Sequence, residues 1–149
     1  MKNRQTRIQG LIIQDHNILL IRAYEIQTGV SFWVIPGGGL EPGESEEECL
    51  IREMKEETGL EVEVERLIFD IEAPDVDQYR RLKSYLCTPV GGQLEPGSEP
   101  EAADQCEIAA VRWFDLKDIS RWSSDLRLDP YTYPHLQKVR QLLGYTTEK

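Results

Sequence analysis

Gly38-Gly39-Leu40-Glu41-Pro42-Gly43-Glu44, then Ser45-Glu46-Glu47-Glu48-Cys49-Leu50-Ile51, then Arg52-Glu53-Met54-Lys55-Glu56-Glu57-Thr58-Gly59-Leu60, is the stretch around which this chain is organised. Its first part reads as turn material, because consecutive glycines and Glu-Pro-Gly carry no regular period and permit backbone angles that other residues resist. The rest reads as a helix over about 46–57. Ser45 and Glu48 stand at capping-box spacing, and Gly59 followed by apolar Leu60 is a left-handed C-cap with its hydrophobic contact.

The charges on this helix are arranged against its own stability. Glu46, Glu47 and Glu48 lie in the first turn, where the helix dipole favours anions; Glu56 and Glu57 lie in the last turn, where it does not. Glu53 precedes them by three and four residues, so three carboxylates share one side, and each like-charge pair costs roughly 0.2–0.5 kcal/mol. Leu50, Ile51 and Met54 form a separate apolar side for a core. A solvated acidic face is the plain alternative. A bound hard divalent cation, which takes oxygen ligands, would turn the same cost into a binding energy.

The whole pattern decides between these. Gly38, five residues, Glu44, seven residues, then Arg52-Glu53-Met54, Glu56-Glu57 and Gly59-Leu60 fill every defined position of a motif and resemble the Nudix box. Nine defined positions over 23 residues carry far more information than a lone glycine-rich loop. The chain is thus identified as resembling the Nudix (MutT-like) hydrolases. The resemblance implies an α+β fold, an α/β/α sandwich with a mixed β-sheet packed between helices. Only the box carries it strongly; elsewhere the likeness is one of element order.

Composition bounds the rest. With 149 residues the chain is expected to form one domain, 1–149, large enough for a real core. Seventeen Lys and Arg against 27 Asp and Glu give a net charge of −10, and the basic cluster is limited to Arg80-Arg81 and Lys83. That excludes duplex nucleic acid as an expected partner, since phosphate contacts need many cationic side chains. A small phosphorylated substrate is not excluded, because a metal can neutralise its charge. Cys49, Cys87 and Cys106 are odd in number and scattered, which suits reduced thiols in a cytoplasmic protein. No leader and no run of membrane-spanning length is expected. Monomer and homodimer both remain open.

Outward from the box, 7–14 and 17–24 read as strands joined by a hairpin at Asp15-His16-Asn17. A polar loop runs over 25–31, and Phe32 to Ile35 is a short strand ended by Pro36. After the helix, 61–70 alternates apolar and acidic residues as a half-buried strand. Pro74, Asp75 and Asp77 are expected to break it over 73–78. A strand over 79–88, a long mobile loop over 89–105, a strand over 108–116, a short helical turn over 115–121 and a helix over 134–143 with Gly144 at its end complete the chain. Gly91-Gly92-Gln93-Leu94-Glu95-Pro96-Gly97 echoes Gly37 to Gly43. Ser98 stands where the glutamate would be and no Arg-Glu-x-x-Glu-Glu helix follows, so reused turn chemistry is the better reading than a second phosphate loop.

Cleaving a phosphoanhydride requires a water in line with phosphorus and charge neutralisation on the equatorial and leaving oxygens. Mg2+ suits this task. The resemblance implies that Glu53, Glu56 and Glu57, with the carbonyl of Gly37 or Gly38, hold one to three Mg2+ ions, with Mn2+ as the alternative. Arg52 is then expected to orient the carboxylates through ion pairs with Glu48 or Glu56, although an ordinary surface pair fits the same spacing. Glu44 is as well explained by support of the turn as by ligation. The general base is Glu53 or, on a later segment, Glu107, whose competing reading is a solvated strand-end charge. Gly38, Gly39 and Arg80 are the candidates for substrate contact. Tyr79, Arg81 and Lys83 lie near Arg80, but an alternating strand must turn two of these four side chains away. Trp33 reads as core packing rather than base stacking.

The expected activity is therefore Mg2+-dependent hydrolysis of a nucleoside diphosphate linked to another moiety: a nucleoside triphosphate, a nucleotide sugar or ADP-ribose. Isopentenyl-diphosphate isomerase shares the fold but departs from the box kept here. A non-catalytic nucleotide-binding or sensor module is the alternative from another class; such modules usually lose box carboxylates.

Overall fold

The structure is a computed structural model that describes residues 3–76, 79–98 and 106–145. Among these residues lie seven strands and three helices, in the order β1 (Asn3–Gln14), β2 (Asn17–Glu25), β3 (Ser31–Val34), β4 (Gly37–Leu40), α1 (Glu46–Thr58), β5 (Leu60–Val76), β6 (Tyr79–Gly92), β7 (Cys106–Asp115), α2 (Ser124–Arg127) and α3 (Thr132–Leu142). A 3₁₀ turn, Ile119–Arg121, precedes α2. The sheet is mixed, in the order β3-β2-β1-β6-β5, with β4 on β1 and β7 on β2. β1 and β6 run parallel; the other pairs are antiparallel.

Period-two alternation along the central strands divides the core into two layers. Ile8 and Ile12 of β1, Leu19 of β2, Val62 and Cys87 face Leu50, Met54 and Cys49 of α1. Leu11, Ile18, Leu20, Trp33, Phe69 and Phe114 face the opposite way, onto Trp122, Leu126 of α2 and Leu136 and Val139 of α3. The expected α/β/α sandwich is what the chain forms. Trp33 is buried, edge-on to Phe114 with ring centroids 5.1 Å apart, and its carbonyl accepts from the Thr132 hydroxyl at 2.8 Å. The β1–β2 hairpin turns through Asp15 and His16, both at positive φ, which matches the strand twist.

Three expectations are corrected. Glu41-Pro42-Gly43 is the expected turn, with Gly43 at positive φ, but the three glycines before it are not part of a turn. Gly37, Gly38 and Gly39 pair with Gln9, Ile8 and Arg7 as strand β4, and none of them has positive φ. Close approach demands them instead: a Cβ on Gly37 would lie 2.6 Å from the Gln9 Cα and nearer still to the Ile8 carbonyl oxygen. Second, β5 does not stop at residue 70. It continues to Val76 with a register shift after Glu72, so the Pro74 region is absorbed as an irregularity of a sheet-edge strand rather than ending it. Third, residues 89–92 extend β6, and 93–98 are tied to the end of α1, so this part of the expected mobile loop is ordered. Residues 77–78 and 99–105, and the side chains of 73–76 and Tyr79, lie outside the described residues.

Candidate active site on α1 and β4

Helix α1 is built as its sequence dictates. The Ser45 hydroxyl accepts from the Glu48 amide at 3.0 Å, and the Glu48 carboxylate accepts from the Ser45 amide at 2.9 Å. Gly59 closes the helix at φ +80. Leu50 and Met54 bury one side against β1. The charged side is not a solvated face: Glu53 is 0% and Glu57 2% exposed.

Each of these carboxylates is laid against the glycine strand. The Gly37 amide donates to Glu57 Oε1 at 3.0 Å. The Glu53 carboxylate packs on the Cα of Gly38, where a Cβ would lie 2.6 Å from Glu53 Cδ and 2.9 Å from Oε1. The Cys49 thiol, buried beneath, donates to the Gly39 carbonyl at 3.6 Å. So β4 brings Gly37, Gly38 and Gly39 together with α1, and Gly37 contributes its amide to Glu57.

Arg52 is the hub. Its Nε and Nη2 donate to the two oxygens of Glu44 at 2.6 and 2.9 Å, and Nη1 reaches Glu53 and Glu56, both at 3.2 Å, and Glu41 at 3.7 Å. The expected pair with Glu56 is present. The pair with Glu48 is not, because Glu48 is committed to the cap. Glu44 also accepts from the Glu41 amide at 3.0 Å, so both its oxygens are engaged in holding the turn and Arg52. The guanidinium holds the Glu44 carboxyl below the usual carboxylate range, against the upward push of burial, while Glu44 in turn raises Arg52. Arg52 brings one positive charge to four carboxylates, of which Glu53 is fully buried.

The other candidates stand apart from this cluster. Glu107 is exposed at the start of β7, opposite Tyr24, and among the described residues no hydrogen bond or ion pair joins it to α1. Arg80 is exposed and, by alternation along β6, lies on the Ser84 face, away from α1. Arg81 and Lys83 take the α1 face. Arg81 pairs with Asp70 at 2.5 Å, and Lys83 donates to Glu46 at 2.8 Å, with the Tyr85 hydroxyl on the other Glu46 oxygen. Neither these anchors nor the Glu44–Arg52 fork was apparent from sequence, because eight and 37 residues separate the partners.

On the opposite side of β1, a buried polar chain lies behind the glycine strand. Arg7 donates through Nη2 to the Ile35 carbonyl at 2.9 Å and through Nε to Gln9 Oε1 at 3.3 Å. That fixes the Gln9 amide, whose Nε2 faces Ser84 Oγ at 2.9 Å and His135 Nε2 at 3.0 Å. His135 Nε2 is therefore the acceptor and the ring is neutral. Burial, aided by Arg7, pushes its pKa down to about 4.

All the oxygen donors on α1 and β4 suit a hard cation. Among the described residues no three carboxylate, histidine or cysteine side chains form a ready-made cage. Mg2+ does not require one, since it usually takes one or two carboxylates and completes its octahedron with water and substrate phosphate oxygens. Glu53 and Glu57, buried beside a side-chain-free strand, offer carboxylate oxygens that fit that requirement.

The sequence model of the NUDIX domain matches residues 4–137. The chain belongs to the Nudix family. An ADP-ribose pyrophosphatase of Methanocaldococcus jannaschii is 32% identical over 120 residues, covering 79% of this chain and 66% of that protein. The NAD-capped RNA hydrolase NudC of Vibrio atlanticus is 30% identical over 105 residues, covering 70% of this chain and 35% of that protein. This Nudix chain therefore spans between about a third and two thirds of those curated relatives. The crystal structure of an ADP-ribose pyrophosphatase from Streptococcus suis superposes with a TM-score of 0.67 at 25% identity, over 99% of this chain and 96% of that one. The sheet of this Nudix chain is mixed, with seven strands among the described residues. None of its described helices is long and apolar enough to cross a membrane.

Proposed function

We propose that this chain is a Mg2+-dependent pyrophosphohydrolase that cleaves the phosphoanhydride bond of a nucleoside diphosphate linked to a further group. The observation that carries this reading is the pair Glu53 and Glu57, buried against a strand of glycines, with Arg52 on Glu53 and the Gly37 amide on Glu57. Buried carboxylates are expensive unless paired or ligating, and a divalent cation would offset that cost. Two of the relatives above carry the name ADP-ribose pyrophosphatase, which puts ADP-ribose first among substrates to test, ahead of nucleotide sugars and nucleoside triphosphates.

Glu53, Glu56 and Glu57, with the Gly37 or Gly38 carbonyl, would hold the metal. A bound divalent ion supplies charge stabilisation at the phosphoryl oxygens and a water of lowered pKa. The chain's own residues do the rest. Arg52 holds Glu53 and Glu56 in place through Nη1, with Glu44 anchoring the guanidinium from behind. Gly38, lacking a side chain, leaves room for the Glu53 carboxylate against the strand. Glu53 accepts the proton of the attacking water as the new P–O bond forms and the bridging P–O bond breaks, the leaving phosphate departing with the bridging oxygen.

The test is incubation with a panel of nucleoside diphosphate derivatives and Mg2+, followed by product analysis. Turnover of at least one member is expected. Tight binding with no turnover would instead make the chain a non-catalytic nucleotide-binding module. Glu53→Gln keeps the shape but removes the anion and base, and should lower kcat at least about a hundredfold, roughly 2.7 kcal/mol in the barrier. Activity within about tenfold of the parent would move the base to Glu107, and Glu107→Gln would then be the severe variant.

A further inference from the structure

An α-helix leaves its last four carbonyls without intrahelical partners. In α1 those belong to Glu56, Glu57, Thr58 and Gly59, two of which carry site carboxylates. All four are taken by one distant segment. The amides of Ser98, Gly97, Glu95 and Gln93 donate to the carbonyls of Glu56, Glu57, Thr58 and Gly59 at 2.9, 3.0, 3.0 and 3.1 Å. The segment runs antiparallel to the end of the helix, and Leu94 anchors it by packing on the α1-side core. This is the second glycine-rich motif, and the contact explains its composition: a Cβ on Gly97 would lie 2.7 Å from the Glu56 carbonyl carbon and nearer still to its oxygen.

We propose that Gln93–Ser98 is a positioning strap that sets the last turn of α1, and with it the Glu56 and Glu57 carboxylates, for metal binding, a role that rests on the proposed metal site. The chemistry is direct. Four N–H groups at the negative end of the helix offset the field that disfavours anions there. They also hold rigid a turn that would otherwise fray, and a ligand displaced by an ångström is a poor ligand. Gly97 is the positioning residue, because its missing side chain lets the two backbones meet.

The experiment compares the parent protein with Gly97→Ala, measuring Mn2+ affinity by calorimetry and amide hydrogen exchange over 93–98. The strap role predicts lost protection in 93–98, Mn2+ affinity weakened about tenfold or more, and kcat largely recovered at saturating metal. A merely structural role would lower stability and leave Mn2+ affinity unchanged; lost protection with unchanged affinity overturns the proposal. Should Gly97→Ala fail to fold, Ser98→Pro, which removes the amide donated to Glu56 and also restricts the backbone at 97–98, decides by the same two readouts. If the parent itself binds no Mn2+, the metal site fails, and that result is distinct from equal binding by parent and variant.

Discussion

Gly38→Ala is the smallest change that reaches the site. The backbone at Gly38 is not in the left-handed region, so alanine brings no torsional strain, and its effect is steric alone. The new methyl would lie 2.6 Å from Glu53 Cδ, with Oε2 nearer still, where ordinary contact begins at 3.4 Å. The carboxylate must retreat by about 1 Å. Glu53 has no exposed surface to retreat into, and Arg52 Nη1 at 3.2 Å holds it from the other side. Overpacking of this kind costs about 1–3 kcal/mol, and a misplacement of about 1 Å in a reacting group costs about a hundredfold in rate. Urea unfolding in EDTA reads the first effect; kcat at saturating Mg2+ on the best panel substrate reads the second. Gly43→Ala is the control: nothing lies within 4 Å of its Cβ, but φ is +80, so it should lose roughly 1 kcal/mol of stability and no activity. If Gly38→Ala keeps kcat within about threefold of the parent, the contact between Gly38 and Glu53 does not set the catalytic geometry.

Two further changes probe the surroundings. Arg52→Lys replaces a fork that grips both Glu44 oxygens with a point charge, so urea unfolding should show a loss of about 1–2 kcal/mol, and kcat should fall as Glu53 and Glu56 lose their orientation; an unchanged midpoint would mean the fork is an ordinary surface pair. His135 sits at about 4 in the folded chain against about 6.5 when unfolded. The unfolded chain therefore takes up the proton first, and stability is lost as pH falls from about 6.5 to 4, by about 3 kcal/mol in all. His135→Gln can offer Oε1 to Gln9 in place of Nε2 without titrating, so its stability between pH 7 and 4 should fall less steeply, as followed by urea unfolding; parallel profiles would refute the neutral buried ring.

What the sequence made legible was local. The capping box, the Gly59 C-cap and the burial of Leu50 and Met54 all act within a few turns of chain, and the helix fell within one residue of its expected end; Ile51, expected on the same apolar side, is exposed instead. What it hid was long-range. Glycine in a strand has no propensity signature, so β4 was read as a turn; only the backbone of β1 and the Glu53 carboxylate show why side chains are missing there. Arg52 found Glu44 through the turn rather than Glu48 along the helix, a choice that helical periodicity cannot express. The strap and the Gln9–His135 contact join residues about 40 and 126 positions apart, with nothing in either segment to announce the other.

A divalent cation held by Glu53, Glu56 and Glu57 would stabilise the folded chain. Thermal unfolding of the parent and of Glu57→Gln, in EDTA and in Mg2+ at constant ionic strength, tests it without any substrate. Constant ionic strength separates binding from screening. Binding the folded state at a hundred times Kd contributes about 2.7 kcal/mol, a rise of roughly 5–10 °C for a chain of this size. The account predicts that rise for the parent, with Glu57→Gln at least as stable as the parent in EDTA yet gaining little from Mg2+. Equal metal-induced shifts in the two proteins would contradict it.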